Sequence, residues 1–235
     1  FNGTGLDISA ATVHMSGSSI TLQTPKFYFG ESSQYISGSN GNIEISSSNF
    51  HLSSSGDVIM SGKVTATSGD SNITFDSSLI TNSFKEYIFT FISMHPANDN
   101  VFLQFNASAD NGSNYNVTKT TTFWRAQNNE ADDSNALGYV DGSDNAQQTG
   151  YQNLEDGNSS DNDHGSSGYL HLFNPSSTTF VKHFIARFSN TNRIDYAQDT
   201  YTAGYCNTTT AIDGVKFEIS SGNLESGTIT LYGIN

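Results

Sequence analysis

The first quarter of the chain repeats a short apolar pattern. Triplets of the form apolar–x–apolar recur every six to eight residues, from Leu6-Asp7-Ile8 to Val64-Thr65-Ala66, with one irregular step at Tyr35-Ile36. Ser, Gly, Asn, Thr and Ala fill the spacers between the triplets. Because strand side chains alternate with period two, the first and third residues of a triplet face the same side. The pattern therefore predicts very short strands separated by turns.

A fixed short period is typical of an array whose units cannot bury their apolar face alone. Coiled-coil heptads would place apolar residues three and four apart, whereas here they lie two apart. Two apolar side chains per strand are too few to stabilise one chain, so we expect a fibrous stalk of three intertwined copies, a homotrimer. The predicted trimer seam consists of Leu6, Ile8, Val13, Met15, Ile20, Leu22, Phe27, Phe29, Ile43, Ile45, Phe50, Leu52, Val58 and Met60.

From Phe84 onward the apolar stretches become longer and richer in aromatic residues. We therefore predict a repeat stalk with a connector over residues 1–83 and a head domain over 84–235. Alternating stretches bounded by Gly and Asn turns are typical of an all-β antiparallel sandwich, most simply a jelly roll. Its predicted strands are Lys85–Met94, Val101–Ala107, Asn116–Gln127, Gly168–Asn174, Thr178–Asn190, Ile194–Cys206, Thr209–Ser220 and Gly227–Ile234.

A polar segment between Gln127 and Gly165 contains nine acidic residues and no Lys or Arg. Loops of this length inside a compact domain are usually functional or disordered. Short apolar pieces at Ala136–Val140 and near Tyr151–Leu154 predict that the segment is partly ordered.

The composition and charge of the chain disfavour several kinds of binding partner. The chain has 235 residues and a net charge of −14, from 9 basic and 23 acidic residues, so binding to nucleic acid has no electrostatic support. No apolar run approaches the roughly 20 residues that would insert into a bilayer. The single cysteine, Cys206, excludes an intrachain disulfide and is interpreted as a small buried apolar residue. No signal peptide is visible, and the chain is interpreted as the carboxy-terminal part of a longer one.

Two stretches resemble the tail-fibre and minor structural proteins of tailed bacteriophages, especially those of marine cyanobacteria. They are Lys26–Gly62, KFYFGESSQYISGSNGNIEISSSNFHLSSSGDVIMSG, and the ending Ile212–Asn235, IDGVKFEISSGNLESGTITLYGIN. The resemblance implies an extracellular, homotrimeric virion fibre whose distal domain contacts the host surface. It also implies attachment to other virion structural proteins through a preceding region. The resemblance implies no catalytic residues in this chain.

The acidic segment offers a weak calcium candidate at Asp156, Asn158, Asp161 and Asp163, because hard oxygen ligands recur there at short intervals. The stretch lacks the glycine at position six and the glutamate at position twelve of an EF-hand loop. A solvated acidic loop without a metal or other cofactor is the alternative.

Acidic and amide side chains beside Tyr139, Tyr151 and Tyr169 would also suit a glycan receptor, since its hydroxyl groups need planar acceptors and an aromatic face. Candidate receptor-binding residues are Trp124, Tyr139, Tyr151, Asp156, Asp161 and Asp163. Phe123 and Trp124 must face opposite sides of their strand, so Trp124 lies either in the core or at an exposed, sugar-stacking position.

The sequence predicts a bacteriophage fibre that binds a bacterial surface glycan or protein through many weak contacts summed over its copies. A purely structural virion component, such as a capsid, neck or tail decoration, is the first alternative. A glycan-degrading tailspike is the second. No G-x-S-x-G or HExxH motif is present, and we predict that the chain is not an enzyme.

Overall fold

The computed structural model describes residues 26–31, 34–39, 42–46 and 58–234. All regular secondary structure in these residues is β-strand, and every strand pair is antiparallel. The predicted all-β, antiparallel class is therefore confirmed.

The chain divides into two compact units, Phe1–His51 and Leu52–Asn235. In the first unit, strands β1 (Lys26–Glu31), β2 (Gln34–Ser39) and β3 (Asn42–Ser46) form a three-stranded sheet in that order. The predicted seam residues of β1 and β3 thus lie on strands. The others before residue 58 lie outside the described residues: Leu6, Ile8, Val13, Met15, Ile20, Leu22, Phe50 and Leu52.

The second unit contains two sheets. The larger has the order β10-β8-β14-β13-β12-β6-β16-β4, with β9 also paired to β8, and the smaller has the order β11-β7-β15-β5. The strands are β4 (Val58–Ala66), β5 (Asn72–Phe75), β6 (Glu86–Pro96), β7 (Leu103–Ser108), β8 (Lys119–Asn129), β9 (Asn135–Tyr139), β10 (Ala146–Gln148), β11 (Gln152–Asn153), β12 (Ser166–Phe173), β13 (Lys182–Thr191), β14 (Tyr196–Cys206), β15 (Gly214–Ile219) and β16 (Leu224–Ile234). All eight predicted head strands are present, with ends shifted by a few residues.

The boundary between the units differs from the one predicted at residue 83. Strand β4 pairs with β16 and β5 pairs with β15, so both belong to the second unit rather than to a stalk and connector. The triplets at Val58 and Val64 were predicted as two strands but form one, with a register irregularity opposite Leu231 and Tyr232. The partners of β4 and β5 lie more than a hundred residues later in the chain, which a local pattern does not reveal.

Aromatic side chains from both sheets meet in one core. The ring of Phe217 on β15 lies 6.1 Å from Phe75 on β5 and 5.1 and 4.9 Å from Phe89 and Phe91 on β6, measured between centroids. All four side chains are almost fully buried. Edge-to-face contacts of this kind add to the stabilisation from burial itself, so Phe217 is the centre of the contact between the sheets.

Two lysines are buried on the inner face of the larger sheet. Lys119 donates hydrogen bonds to Asn106 and to the carbonyl of Val117, and burial lowers its pKa to about 8. Lys182 donates to two carbonyls of the loop after β14. Cys206 pairs in register with both lysines and is fully buried, as predicted, and burial raises the pKa of its thiol to about 11.

We expect Gly233→Ala to destabilise the second unit. A Cβ atom at Gly233 would overlap the ring of Phe84, which is held against Tyr87 at 5.6 Å between centroids. Overpacking of this kind typically costs about 1–3 kcal/mol. Urea denaturation would measure the loss, with Gly138→Ala as the control, because a Cβ at Gly138 meets no atom within 4 Å. Equal stability of the two variants would contradict the expectation.

Candidate functional site

The larger sheet has an inner face of buried side chains on the core and an outer face whose side chains are exposed or half-buried on β8, β14 and β13. Strand β13 shows the alternation clearly: Phe184 and Phe188 are buried, whereas Ile185 and Arg187 lie on the outer face. The outer face carries aromatic side chains on β8, β14 and β12, among them Trp124, Tyr201 and Tyr169.

Trp124, Tyr201, Arg187 and Tyr169 form one row across these four strands, because they are direct neighbours in the strand register. The rings of Trp124 and Tyr201 are stacked, with centroids 4.2 Å apart and planes inclined by only 4°. The guanidinium carbon of Arg187 lies 4.7 Å from the centroid of the Tyr201 ring. Both faces of Tyr201 are therefore covered, and the row forms a ridge across the sheet, called the aromatic ridge below.

Arg187 is fixed in this ridge by Asp199. Its Nε and Nη2 atoms donate to the two carboxylate oxygens at 2.9 and 2.8 Å, a bidentate ion pair. The hydrogen bonds to Asp199 raise the pKa of Arg187 further above its ordinary value. The pair holds the guanidinium plane against Tyr201 and leaves little net charge at this point of the surface.

The side chains of the next row along the same strands are smaller and project less far from the sheet. It consists of Thr122, Ala203 and Ile185, which are direct register neighbours. Beyond it the side chains become large again at Tyr205 and His183, whose rings lie 6.0 Å apart. A low row between two high ones makes a trough that crosses β8, β14 and β13.

Two hollows of about 200 and 320 Å³ lie along this trough, one on each side of its floor. They share Thr122, Ile185 and Ala203. The first is bounded by the aromatic ridge and the second by Tyr205 and His183. None of the residues that line either hollow is an Asp or a Glu.

Uncharged polar groups surround the end of the trough near β10. The Nε2 atom of Gln147 donates to the hydroxyl of Thr120 at 2.6 Å and lies 3.5 Å from that of Tyr205. The Asn207 amide in turn donates to Gln147 Oε1 at 2.6 Å. These linked hydroxyl and amide groups are exposed or half-buried, so they can exchange their hydrogen bonds with a ligand.

The structure brings two of the predicted receptor residues together. Trp124 is 37% exposed while Phe123 is fully buried, which decides between the two positions considered for Trp124. Tyr139 on β9 is the register neighbour of Trp124 on the side away from Tyr201 and is 51% exposed. The Tyr139 hydroxyl donates to Asp144 at 2.6 Å, and this hydrogen bond raises the pKa of Tyr139.

Tyr151 is not part of this row. It precedes β11 of the smaller sheet and is half-buried. Burial raises the pKa of its hydroxyl, with a further contribution from Glu218 on β15. Tyr151 was a receptor candidate only because of its place in the acidic segment.

The acidic segment is largely built into the domain. Asp156 forms an ion pair with Arg125 on β8. The buried Asn158 donates to the Met94 carbonyl and to the Ser166 hydroxyl, both at 3.3 Å, and accepts from the Ser159 N–H at 2.9 Å. These contacts occupy side chains that the calcium hypothesis requires as free ligands.

Asp161 and Asp163 lie on the surface around His164. The His164 ring nitrogens are 3.9 Å from each of these two carboxylates and 3.4 Å from that of Asp195. In the part of the chain that the structure describes, no group of three or more His, Cys, Asp or Glu side chains is arranged to hold a metal ion. Calcium binding stays an untested expectation.

Tyr201, Arg187 and Ala203 were missed as site residues. A signal for two of them was present, because Tyr201, Ala203 and Tyr205 occupy alternate positions of a predicted strand and must share one face. The position of Arg187 and Tyr169 beside Tyr201 depends on the strand order, which the sequence does not reveal.

No protein-family model, no curated protein and no solved structure matches the chain. Across the described residues, there is no helix with the length and hydrophobicity needed to pass through a bilayer.

Proposed function

We propose that the chain is a bacteriophage virion fibre protein whose head binds a glycan of the bacterial surface at the trough and its aromatic ridge. The fibre assignment is supported by the two stretches that resemble tail-fibre proteins. The glycan-binding assignment is supported by the outer face of the larger sheet. Attachment to the host by several copies would then sum weak contacts into firm binding.

The head is proposed to be a jelly-roll β-sandwich, and the repeat before it a trimeric stalk. Support for the sandwich comes from the shared aromatic core and from nested strand pairing, in which β4 pairs with β16 and β5 with β15. Support for the stalk comes from the apolar triplets alone. The particle surface is the proposed location, without membrane insertion or nucleic acid.

The single observation that carries the glycan proposal is the aromatic ridge beside a trough with an uncharged floor. The ring face of Trp124 that Tyr201 does not cover carries negative charge density and attracts the C–H groups of a sugar ring, which carry partial positive charge. Ligand sites combine such apolar surfaces with a few placed polar groups, here Thr120, Gln147 and Tyr205.

We expect Trp124→Ala to weaken glycan binding about tenfold, equivalent to about 1.4 kcal/mol, because aromatic anchors dominate binding energies. Binding would be measured by interferometry on immobilised lipopolysaccharides and capsular polysaccharides from a panel of bacteria. Ile194→Ala is the control, since Ile194 is an exposed apolar residue in the loop between β13 and β14.

Point variants are required because deleting residues 129–163 would remove the buried side chains of Leu154 and Asn158.

Failure of the wild-type chain to bind any glycan of the panel would favour the architectural alternative. Equal affinities of wild type and Trp124→Ala would contradict the proposed site. A loss of polysaccharide mass during incubation would favour the glycan-degrading alternative instead.

A further inference from the structure

We infer that the trough binds an uncharged oligosaccharide of at least two sugar units, rather than an acidic polysaccharide or a single sugar. This inference rests on the proposed function and specifies its ligand class. It follows from three properties of the trough: its charge, its length and its hydrogen-bonding groups.

The charge of the site favours a neutral ligand. Arg187 and His183 are the lining residues that can carry positive charge, and Arg187 is already neutralised by its bidentate pair with Asp199. The whole chain has a net charge of −14, which repels polyanions over distances comparable with the Debye length. An acidic polysaccharide would meet this repulsion without a free cationic partner, whereas an uncharged one avoids it.

The length of the trough favours a chain of sugars. It crosses β8, β14 and β13, and two steps between neighbouring strands span on the order of 10 Å. The small side chain of Ala203 lies in the middle of the floor, and Ile185 provides an exposed apolar surface next to it. A single sugar ring would leave part of this apolar floor in contact with water.

The hydrogen-bonding groups at the trough suit sugar hydroxyls. Thr120, Gln147, Tyr205 and Asn207 present hydroxyl and amide groups, each of which donates and accepts. Sugar hydroxyls likewise donate and accept, so these groups can exchange partners with a ligand without leaving a charge unpaired. Acidic sugars would instead need donors that are free of acceptors, which the Arg187–Asp199 pair does not supply.

The test measures the affinity of the full chain for neutral gluco-, manno- and galacto-oligosaccharides of increasing length, and for their uronic-acid counterparts, by isothermal titration at low and high salt. We expect the affinity for at least one neutral series to rise with chain length until the ligand spans the trough and then to stay constant. We expect salt to change it less than twofold. The uronic-acid series should bind at least tenfold more weakly.

A matched pair of variants locates the binding. Ala203→Tyr fills the floor of the trough and should abolish binding, whereas Ala197→Tyr adds the same side chain to an exposed position of the same face of β14 and should preserve it. Because both alanines are exposed, both variants should retain the wild-type unfolding midpoint, which is measured in parallel.

The outcomes separate the inference from the proposed function. Binding to bacterial polysaccharides that Ala203→Tyr abolishes, together with tighter, salt-dependent binding of uronic acids, overturns the inference and leaves the proposed function intact. A length-independent affinity overturns it in the same way. Binding that Ala203→Tyr leaves unchanged, or a trough that proves to be the contact between copies of the chain in solution, overturns both.

Discussion

Phe217→Ala is expected to lower the free energy of unfolding of the second unit by about 4 kcal/mol. The substitution removes a fully buried aromatic ring and leaves a cavity, and changes of this kind typically cost about 3–5 kcal/mol. The cost should not fall to the lower end of this range, because Phe217 contacts aromatic rings of both sheets and the rigid ring packing limits collapse around the cavity.

This loss is large against the roughly 5–15 kcal/mol by which domains are stable. Urea denaturation followed by the fluorescence of Trp124, the only tryptophan, would measure it. Phe180→Ala is the matched control, because Phe180 is 69% exposed and its removal should change the midpoint little. A loss below about 1 kcal/mol for Phe217→Ala would show that the two sheets do not depend on this contact.

Glu155→Gln is expected to stabilise the second unit by about 3 kcal/mol at pH 8 and to change little at pH 4. Glu155 is completely buried, and burial raises the pKa of its carboxyl to about 7 from the ordinary 4.5. One carboxylate oxygen accepts from the Leu103 N–H at 3.1 Å, while the other has no hydrogen-bond partner within the described residues. The ionised form is therefore poorly compensated.

The direction follows from proton binding. Between pH 4.5 and about 7 the folded state binds more protons at Glu155 than the unfolded state does, so stability falls as the pH rises through this range. Glutamine resembles the protonated acid and does not ionise, so the variant lacks this contribution. Lys119 affects stability in a different pH range, because burial lowers its pKa to about 8. Between pH 8 and 10.5 the unfolded state binds more protons at Lys119 than the folded state does, so stability rises with pH there.

Chemical denaturation at half-unit steps from pH 4 to pH 8 would measure the free energy of unfolding of wild type and of Glu155→Gln. The difference between wild type and Glu155→Gln should be small at pH 4 and should grow until about pH 7. Asp163→Asn serves as the control, since Asp163 is an exposed carboxylate of the same segment. Parallel stability curves for wild type and Glu155→Gln would contradict a buried carboxyl with a raised pKa.

Several features of the head were accessible from local pattern. The eight long strands and the opposite orientations of Phe123 and Trp124 follow from period-two alternation, which depends only on neighbouring residues. The burial of Cys206 was predicted from its residue type. The ordered pieces of the acidic segment appear as β9 and β11, close to the apolar stretches that indicated them.

Other features depend on contacts between distant residues. Asp156 and Asn158 were candidate ligands because their residue types suit calcium, yet Arg125, Met94 and Ser166 occupy them in the fold. The buried lysines at positions 119 and 182 also escaped notice. A lysine in an alternating strand is normally read as exposed, and its burial requires carbonyl partners supplied by other segments.

By itself the sequence determined the antiparallel all-β class and the positions of the long strands, because these depend on alternation along the chain. It did not decide which face of β8 meets the core. Only the tertiary structure decided which strands are neighbours. The strand order places Trp124, Tyr201, Arg187 and Tyr169 in one row and sets the low Ala203 beside it. A binding surface made of single residues from separate strands exists only once those strands have paired, so no local pattern contains it.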